Sequence, residues 1–301
     1  MPASQPLPPD LIVRAATADD VPRLWEIRVA TEAPNPASPP PAGPPSATLR
    51  HVVRSARVLV AEVNGLVVGF GGRADRSGVS FLTDLFVDPA WQSSAVGRTL
   101  LRELFQDAAA TRFTLASSDP RAVALYTRNG MTPRWPNFDL VADAAQFRLP
   151  PEHRSTLREA DPLDPAFLDL DASVGGRRRP EDLAFLRDEM AGTFFWVDGD
   201  AEPAGYAGVW READDGVLGD TLAIGPVGGA TDAAAREATL AAVAWAHPRA
   251  RRLKISIPGP HPALPPLLEA GFRIDYIGTI CASASVRLNP KRYVASGEDL
   301  F

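Results

Sequence analysis

The sequence predicts an α/β (α+β) protein in which one plan is used twice. Three observations predict it. Strand-like and helix-like segments alternate along the chain, nine elements recur in one order in its two halves, and 301 residues suit two domains of about 150. Hydrophobic residues make up 45 % and charged residues 23 %, so either half can bury a core of its own. The halves are read as 1–149 and 150–301, joined at Leu149-Pro150-Pro151.

In the first half, LIVRAAT is a short strand. Thr17, with Asp20 three residues on, makes a capping-box variant that starts a helix running to about Thr31. The stretch PNPASPPPAGPP, Pro34 to Pro45, can be neither helix nor inner strand and reads as a surface loop. A second helix covers about Ala47 to Ala56. RVLVAEVNGLVVGFGGR is a hairpin, with Asn64-Gly65 suited to a type I′ turn. FLTDLFV is a strand, followed by a polar turn and a helix to about Ala110. RFTLAS is a strand, and DPRAVALYTRNG a helix with proline in its first turn and Gly130 after its last. MTPRWPNFDLVAD is expected as a broken strand.

The second half repeats the order. STLREAD is a strand; PLDPAFLDLD and RRPEDLAFLRDEM are helices; TFFWVDGDAEPAGYAGVW is a hairpin with a longer turn. VLGDTLAIGP, RRLKISIPG and RIDYIGTICAS are strands, separated by the helices TDAAAREATLAAVAWA and PALPPLLEAGF. Such agreement reads as an internal duplication.

Composition narrows the chemistry. Net charge is −6, and the only basic run, Arg177 to Arg179, reads as solvated, so nucleic acid is not an expected partner. A single cysteine, Cys281, forms no disulfide framework or thiol metal site. The histidines 51, 153, 247 and 261 show no ligand spacing. Without a signal-like N-terminus or an apolar run of about 18 residues, no membrane partner is expected and the cytoplasm is the expected compartment. The tryptophans at 91, 135, 196, 210 and 245 read as core or interface residues.

The turn after FLTDLFV carries the first chemical signal. A strand entering a helix through small residues leaves backbone N–H groups unpaired at the positive end of the helix dipole, a site for a phosphate. Ser93, Ser94 and Ala95 lack bulk, Gly97 permits close approach, Gln92 adds a donor and Arg98 a positive charge. Val87-x-Pro89-x-x-Gln92-x-x-Ala95-x-Gly97 resembles the acyl-CoA-binding signature of the GNAT N-acetyltransferase superfamily: Arg or Gln, two residues, Gly, one residue, then Gly or Ala. Tyr126-Thr127-Arg128-Asn129-Gly130-Met131 is similar to the family's Tyr-x-x-x-Gly-Phe box. The resemblance spans residues 11 to 142 in motifs, and the second half in element order alone.

It implies two tandem GNAT-like domains, each a mixed, mostly antiparallel sheet flanked by helices and splayed at its fourth strand. Acetyl-CoA would be the acyl donor, with no metal. Its pantetheine would lie along the backbone of Leu85, Phe86 and Val87, and its pyrophosphate on the N–H groups of Gln92 to Arg98. Two departures stand out. Ala95 replaces the signature's first glycine, which strains the loop if that position needs φ > 0. Asp119 stands where relatives often carry a pantetheine-contacting asparagine.

Tyr126 takes the family position of the acid that protonates the departing thiolate, and a phenol of pKa near 10 suits that task. The glutamate some relatives carry on the fourth strand is Thr83 here. Asp84 is the adjacent carboxylate, a candidate base that strand alternation would turn to the opposite face from Thr83; a structural hydrogen bond is its alternative role. In the second half the loop lacks the Gln or Arg and the late glycine, Asp232 would repel a pyrophosphate or cap its helix, and Leu267 takes the tyrosine position. That half is expected to keep the fold without the chemistry, replacing a partner subunit and walling the acceptor pocket.

The expected function is acetyl transfer to the amine of a small molecule in a direct ternary complex. A non-catalytic acyl-CoA sensor or scaffold and a protein N-acetyltransferase are the alternatives. A monomer with an internal pseudo-dimer is one expected state, a homodimer the other. The Pro34–Pro45 loop is expected to form part of a lid.

Overall fold

The computed structural model describes residues 8, 10–36, 38–148, 155–198, 203–214, 217–297 and 299–301. The expected seam at Leu149-Pro150-Pro151 and the tip of the second-half hairpin, 199–202, lie outside them. The first half runs β1 (Leu11–Ala15), α1 (Val21–Glu32), α2 (Ala47–Ser55), β2 (Arg57–Val63), β3 (Leu66–Arg76), β4 (Val79–Val87), α3 (Val96–Phe105), β5 (Thr111–Ala116), α4 (Pro120–Arg128) and β6 (Thr132–Asp143). The second runs β7 (Leu157–Glu159), α5 (Pro165–Gly175), α6 (Pro180–Asp188), β8 (Thr193–Asp198), β9 (Pro203–Asp214), β10 (Val217–Gly229), α7 (Asp232–Ala246), β11 (Arg252–Pro258), α8 (Leu264–Glu269) and β12 (Arg273–Ala282), followed by a short β13 (Tyr293–Val294).

Local chemistry sets these boundaries. The Thr17–Asp20 capping box forms, and Arg14 clamps the same carboxylate with two bonds of 2.8 Å. Asn64 and Gly65 take φ of 50° and 78°, the left-handed pair a type I′ turn requires. Asp119 accepts the Arg121 N–H and starts α4. Two elements differ from expectation. Helix α3 stops at Phe105 rather than about Ala110, because the Arg73 guanidinium takes the Leu104 carbonyl and, at 2.8 Å, the Asp107 carboxylate. Strand β6 is continuous; its Pro133 sits at a register irregularity against β12, where a missing N–H is tolerated.

Among the described residues thirteen strands form one sheet, ordered β1-β2-β3-β4-β5-β12-β6-β11-β10-β9-β8-β7, with β13 beside β10. The order is symmetric, and the halves have exchanged their last strands. Strand β12 of the second half pairs with β5 of the first, Thr279 to Ala282 against Ala116 to Phe113, and β6 pairs with β11 from Asp143–Arg252 to Asn137–Pro258. Each exchanged strand covers an edge that would otherwise be open.

Helices α1 and α2 bury Leu24, Ile27, Leu49 and Val52 on one face of the first half. Helix α3 packs Leu100, Leu101 and Leu104 on the other. The first cluster continues without a break into the second half through Phe167, Phe185, Tyr206, Tyr293 and Phe301. A buried ion cluster crosses the same boundary. Asp182 of α6 lies 2.9 Å from Arg76 Nη2 and 2.9 Å from His51 Nε2. Burial works against the Asp182 charge, but these two bonds outweigh it and hold its carboxyl below the ordinary range. The basic run expected to be solvated is largely interior: Arg177 and Arg179 are buried, Arg179 paired to Asp171 by bonds of 3.1 and 3.0 Å.

Candidate active site

Strand β4 parts from β5 halfway along. Their parallel pairing runs from Val79–Thr111 to Leu82–Thr114 and goes no further. Beyond it Leu85, Phe86 and Val87 keep their partners on β3, Gly71, Phe70 and Gly69. Their other edge opens into the cleft, the geometry in which an extended amide chain could pair with backbone. The Val87 carbonyl receives the Thr31 hydroxyl at 3.3 Å and Gln92 Nε2 at 3.4 Å. Gln92 Oε1 in turn accepts from Arg121 at 3.4 Å.

The cleft ends on the first turn of α3. Ala95 is the N-cap, with φ 63° and ψ 0° and no side-chain cap. Helical bonding begins with Thr99 N to Ala95 O at 3.0 Å, so the N–H groups of Val96, Gly97 and Arg98 precede it. Ser93 is also left-handed, at φ 68°. The Ser94 hydroxyl turns back to the Trp91 carbonyl, and Arg98 is exposed. A Cβ built at Gly97 would meet only Val87 Cγ2, at 3.4 Å, and Gly97 is not among the positive-φ residues. Neither packing nor backbone demands glycine there, so the space it leaves is available to a bound group.

Asp84 lies on β4 between its last pair with β5 and the opened edge, and Tyr126 is close enough for the Asp84 charge to act on its phenol. Strand β4 carries a bulge at Thr83: Gly72 opposes Asp84 while Arg73 opposes Leu82. The extra residue overturns the expected alternation. A Cβ at Gly72 would collide with the Thr83 hydroxyl and reach Asp84 Oδ2 at 3.2 Å, so both side chains crowd one face. Asp84 is buried, and neither its oxygens nor Thr83 Oγ1 has a hydrogen-bond partner among the described residues. Its nearest cation is Arg28 of α1, at 3.7 Å. Arg28 is held more closely by Asp299, at 2.7 Å, and by Glu32, at 3.2 Å. Burial pushes the Asp84 carboxyl up to about 7 and Asp299 adds to the rise, while Arg28 and the adjacent Thr83 hydroxyl offset only part of it. Tyr126 is buried on α4; burial raises its phenol above the ordinary value, with Cys281 and Asp84 adding to the effect. Its hydroxyl has no partner among the described residues.

Sequence reasoning expects the second half to wall the acceptor pocket but names none of the residues that do so. Cys281, on the exchanged strand β12, shares the apolar cluster of Tyr126. The Tyr276 hydroxyl receives the Ser118 N–H at 2.9 Å, just before α4. A cavity of about 370 Å³ lies between the halves, lined in part by Trp25, Arg28, Trp210, Glu212, Lys254 and Asp299. No local pattern marks these residues; they come from both halves and meet only in the packed whole. The loop expected as a lid packs on α1, where Trp25 Nε1 donates to the Ala42 carbonyl at 2.5 Å.

The second half shows the same cleft closed. Strands β10 and β11 pair from Thr221–Arg252 to Ile224–Ile255, and past that point β13 pairs with β10 at Val227 and Gly228. At the start of α7, Thr231 caps the Ala234 N–H. Arg292 binds Asp232 and the Ala230 carbonyl, each at 2.8 Å. The positions equivalent to the phosphate turn are thus filled by protein.

Comparison with known proteins agrees with this architecture. Residues 54–132, which hold the splayed strand, the turn and Tyr126, match the family model of the acetyltransferase (GNAT) domain. No curated protein matches the chain at the sequence level. Among solved structures, a putative acetyltransferase from Pyrococcus horikoshii is similar over 97 % of this chain and 96 % of its own, with a TM-score of 0.71 and 16 % identity. A GCN5-related N-acetyltransferase from Sphaerobacter thermophilus is similar over 92 % and 96 %, with a TM-score of 0.61 and 15 % identity. A tandem GNAT protein from the clavulanic acid biosynthesis pathway is similar over 91 % and 98 %, with a TM-score of 0.57 and 17 % identity. At these identities the structures speak for the fold, and the family model speaks for the domain. Among the described residues no helix is long and apolar enough to cross a membrane. The family model thus marks a GNAT acetyltransferase domain within residues 54–132, and the likeness to solved structures shows the fold along the length of the chain.

Proposed function

We propose that the protein transfers an acetyl group from acetyl-CoA to the amine of a small molecule, with catalysis in residues 1–149 and a structural, pocket-walling role for 150–301. The observation that carries this reading is the contrast between the two clefts: one open onto an uncapped helix start, the other filled by β13 and Arg292. Leu85, Phe86 and Val87 would hold the pantetheine. The turn from Gln92 through Ser93, Ser94, Ala95, Val96 and Gly97 to Arg98 would hold the pyrophosphate, in the space Gly97 leaves free. A small acceptor, rather than a peptide, is proposed on the cavity of about 370 Å³ between the halves, a size that small-molecule sites use; it is lined by Arg28 and Asp299, the neighbours of Asp84, and not by Asp84 or Tyr126 themselves.

Bound acetyl-CoA supplies an acyl carbon activated by its thioester. Asp84 takes a proton from the acceptor ammonium, freeing the nitrogen lone pair to form the carbon–nitrogen bond as the carbon–sulfur bond breaks. Tyr126 gives its hydroxyl proton to the departing sulfur, and the second proton, shed by the acylated nitrogen, restores the phenol. A base with a pKa near neutrality suits the first task; the raised phenol is a weaker donor than a free one, so its proton moves only as charge develops on the sulfur. Calorimetric titration with acetyl-CoA, followed by thiol-release assays on a panel of small amines, tests the reading. Tyr126→Phe is expected to bind acetyl-CoA as the wild type does and to lower kcat by roughly 100-fold or more. Absence of acetyl-CoA binding by the wild type refutes the function, and unchanged turnover in Tyr126→Phe refutes that residue's role.

A further inference from the structure

The segment after β12 takes a path that the proposed reaction does not by itself require. It forms β13 inside the second half's cleft, then returns towards the first half. Arg179, fully buried and paired to Asp171, donates to Ser296 Oγ at 3.0 Å and to the Leu300 carbonyl at 2.8 Å. The Phe301 ring packs 5.8 Å from Phe113 and 6.3 Å from Phe81, beneath β4 and β5. Anchored on both sides, Asp299 is presented to Arg28 at 2.7 Å.

We propose that Asp299 is a positioning residue: it holds Arg28 away from a hydrogen-bonded pairing with Asp84 and so leaves the Asp84 carboxylate free to accept the acceptor's proton. The proposal rests on the reading of Asp84 as the base. Geometry carries it. Arg28 lies at hydrogen-bonding distance from Asp299 and Glu32 but 3.7 Å from Asp84. It is also held over Phe86 and Trp25, at 5.5 and 5.9 Å from their ring centroids. One guanidinium therefore serves three carboxylates, and the two on its near side take its donors. The charged and titratable groups around Asp84 are Arg28 and Glu32 from α1, Asp299 from the returning segment and, further off, Tyr126 from α4. Burial is the largest cause that keeps Asp84 protonated up to about 7; Asp299 and Glu32 add to it and Arg28 subtracts from it, in agreement with the geometry. In this arrangement the closed cleft has a use: it is the anchor from which the second half delivers a charge to the site of the first.

The test is a carboxyl-¹³C NMR titration of the whole chain labelled at aspartate, with the Asp84 signal assigned by its loss in Asp84→Asn. It needs neither acyl donor nor acceptor. In the wild type the Asp84 midpoint is expected near 7. In Asp299→Asn, where a like charge is removed and Arg28 is released to Asp84, it is expected to fall by about one unit or more. Asp299→Glu keeps the charge and should hold the midpoint within about half a unit of the wild type, while Glu32→Gln should move it less than Asp299→Asn does. An unchanged midpoint in Asp299→Asn overturns the proposal. So does an equal fall in Asp299→Glu, which would mean that packing of the segment and not its charge sets the carboxyl. Acetyl-CoA calorimetry on the same samples is independent: no binding together with a shifted midpoint would refute the function and leave the charge arrangement standing.

Discussion

At the scale of single residues, Ala95 and Asp84 both stand in states their chemistry disfavours. Ala95 is left-handed, a conformation that costs an L-residue roughly 1–2 kcal/mol. Glycine would remove that strain but would add freedom to the unfolded chain, worth about 0.4–1 kcal/mol. Ala95→Gly is therefore expected to stabilise by about 0–1.6 kcal/mol, and Ala95→Val to destabilise, read from urea midpoints; a less stable glycine variant would contradict the strain. Asp84 has a raised folded pKa, near 7 against an ordinary 3.8. The fold thus prefers its protonated form, so its contribution to stability is complete below about pH 4 and is lost as pH rises through 7. Asp84→Asn stays neutral throughout. Its melting temperature should exceed the wild type's at pH 8 and match it at pH 4, while turnover drops and the acidic limb near 7 disappears from the rate profile. A lower melting temperature at pH 8 would argue against an unpaired charge. Sequence could point to Asp84 as a carboxylate beside a missing glutamate, but not to its surroundings. The bulge at Thr83 shifts the alternation on which facing is judged, and the Arg28–Asp299 pair joins positions 271 apart, beyond any local pattern.

Among the elements, the turn into α3 was the most legible, because its signal is local. Small residues, a glycine and a following amphipathic helix fix a backbone whose N–H groups must point outward. The structure adds that Gly97 is not needed by the fold, since a Cβ there meets only Val87 Cγ2 at ordinary contact distance. Gly97→Asp should therefore leave the melting temperature within about two degrees of the wild type, as surface changes of a few tenths of a kcal/mol do. It should reduce acetyl-CoA binding by 100-fold or more, because a carboxylate would face the pyrophosphate. Retained affinity would move the phosphate site elsewhere. Strands β6 and β12 show the opposite case. Both are legible as strands from their apolar residues, but a strand's composition carries no record of which edge it joins. Pairing within each half and exchange between halves satisfy the same hydrogen bonds.

For the whole molecule, the exchange makes the two halves one folding unit even though the sequence repeats. Cutting the chain near 149 would leave residues 1–149 without β12, exposing the edge of β5 from Phe113 to Ala116. It would strand β6, whose partners β11 and β12 both belong to the other half, and uncover Arg76 and His51, which share Asp182. An open strand edge and unpaired buried charge each favour aggregation or self-association. Residues 1–149 expressed alone are thus expected to be insoluble or to form a homodimer that exchanges β6 with a second copy, the intermolecular form of the arrangement seen here. Co-expression with residues 150–301 should give a soluble one-to-one complex, and the intact chain should unfold in urea in a single transition. Size-exclusion chromatography with light scattering distinguishes these outcomes. A soluble monomeric first half with native-like secondary structure would show that the exchanged strands are dispensable, and that the duplicated domains fold as separate bodies before they meet.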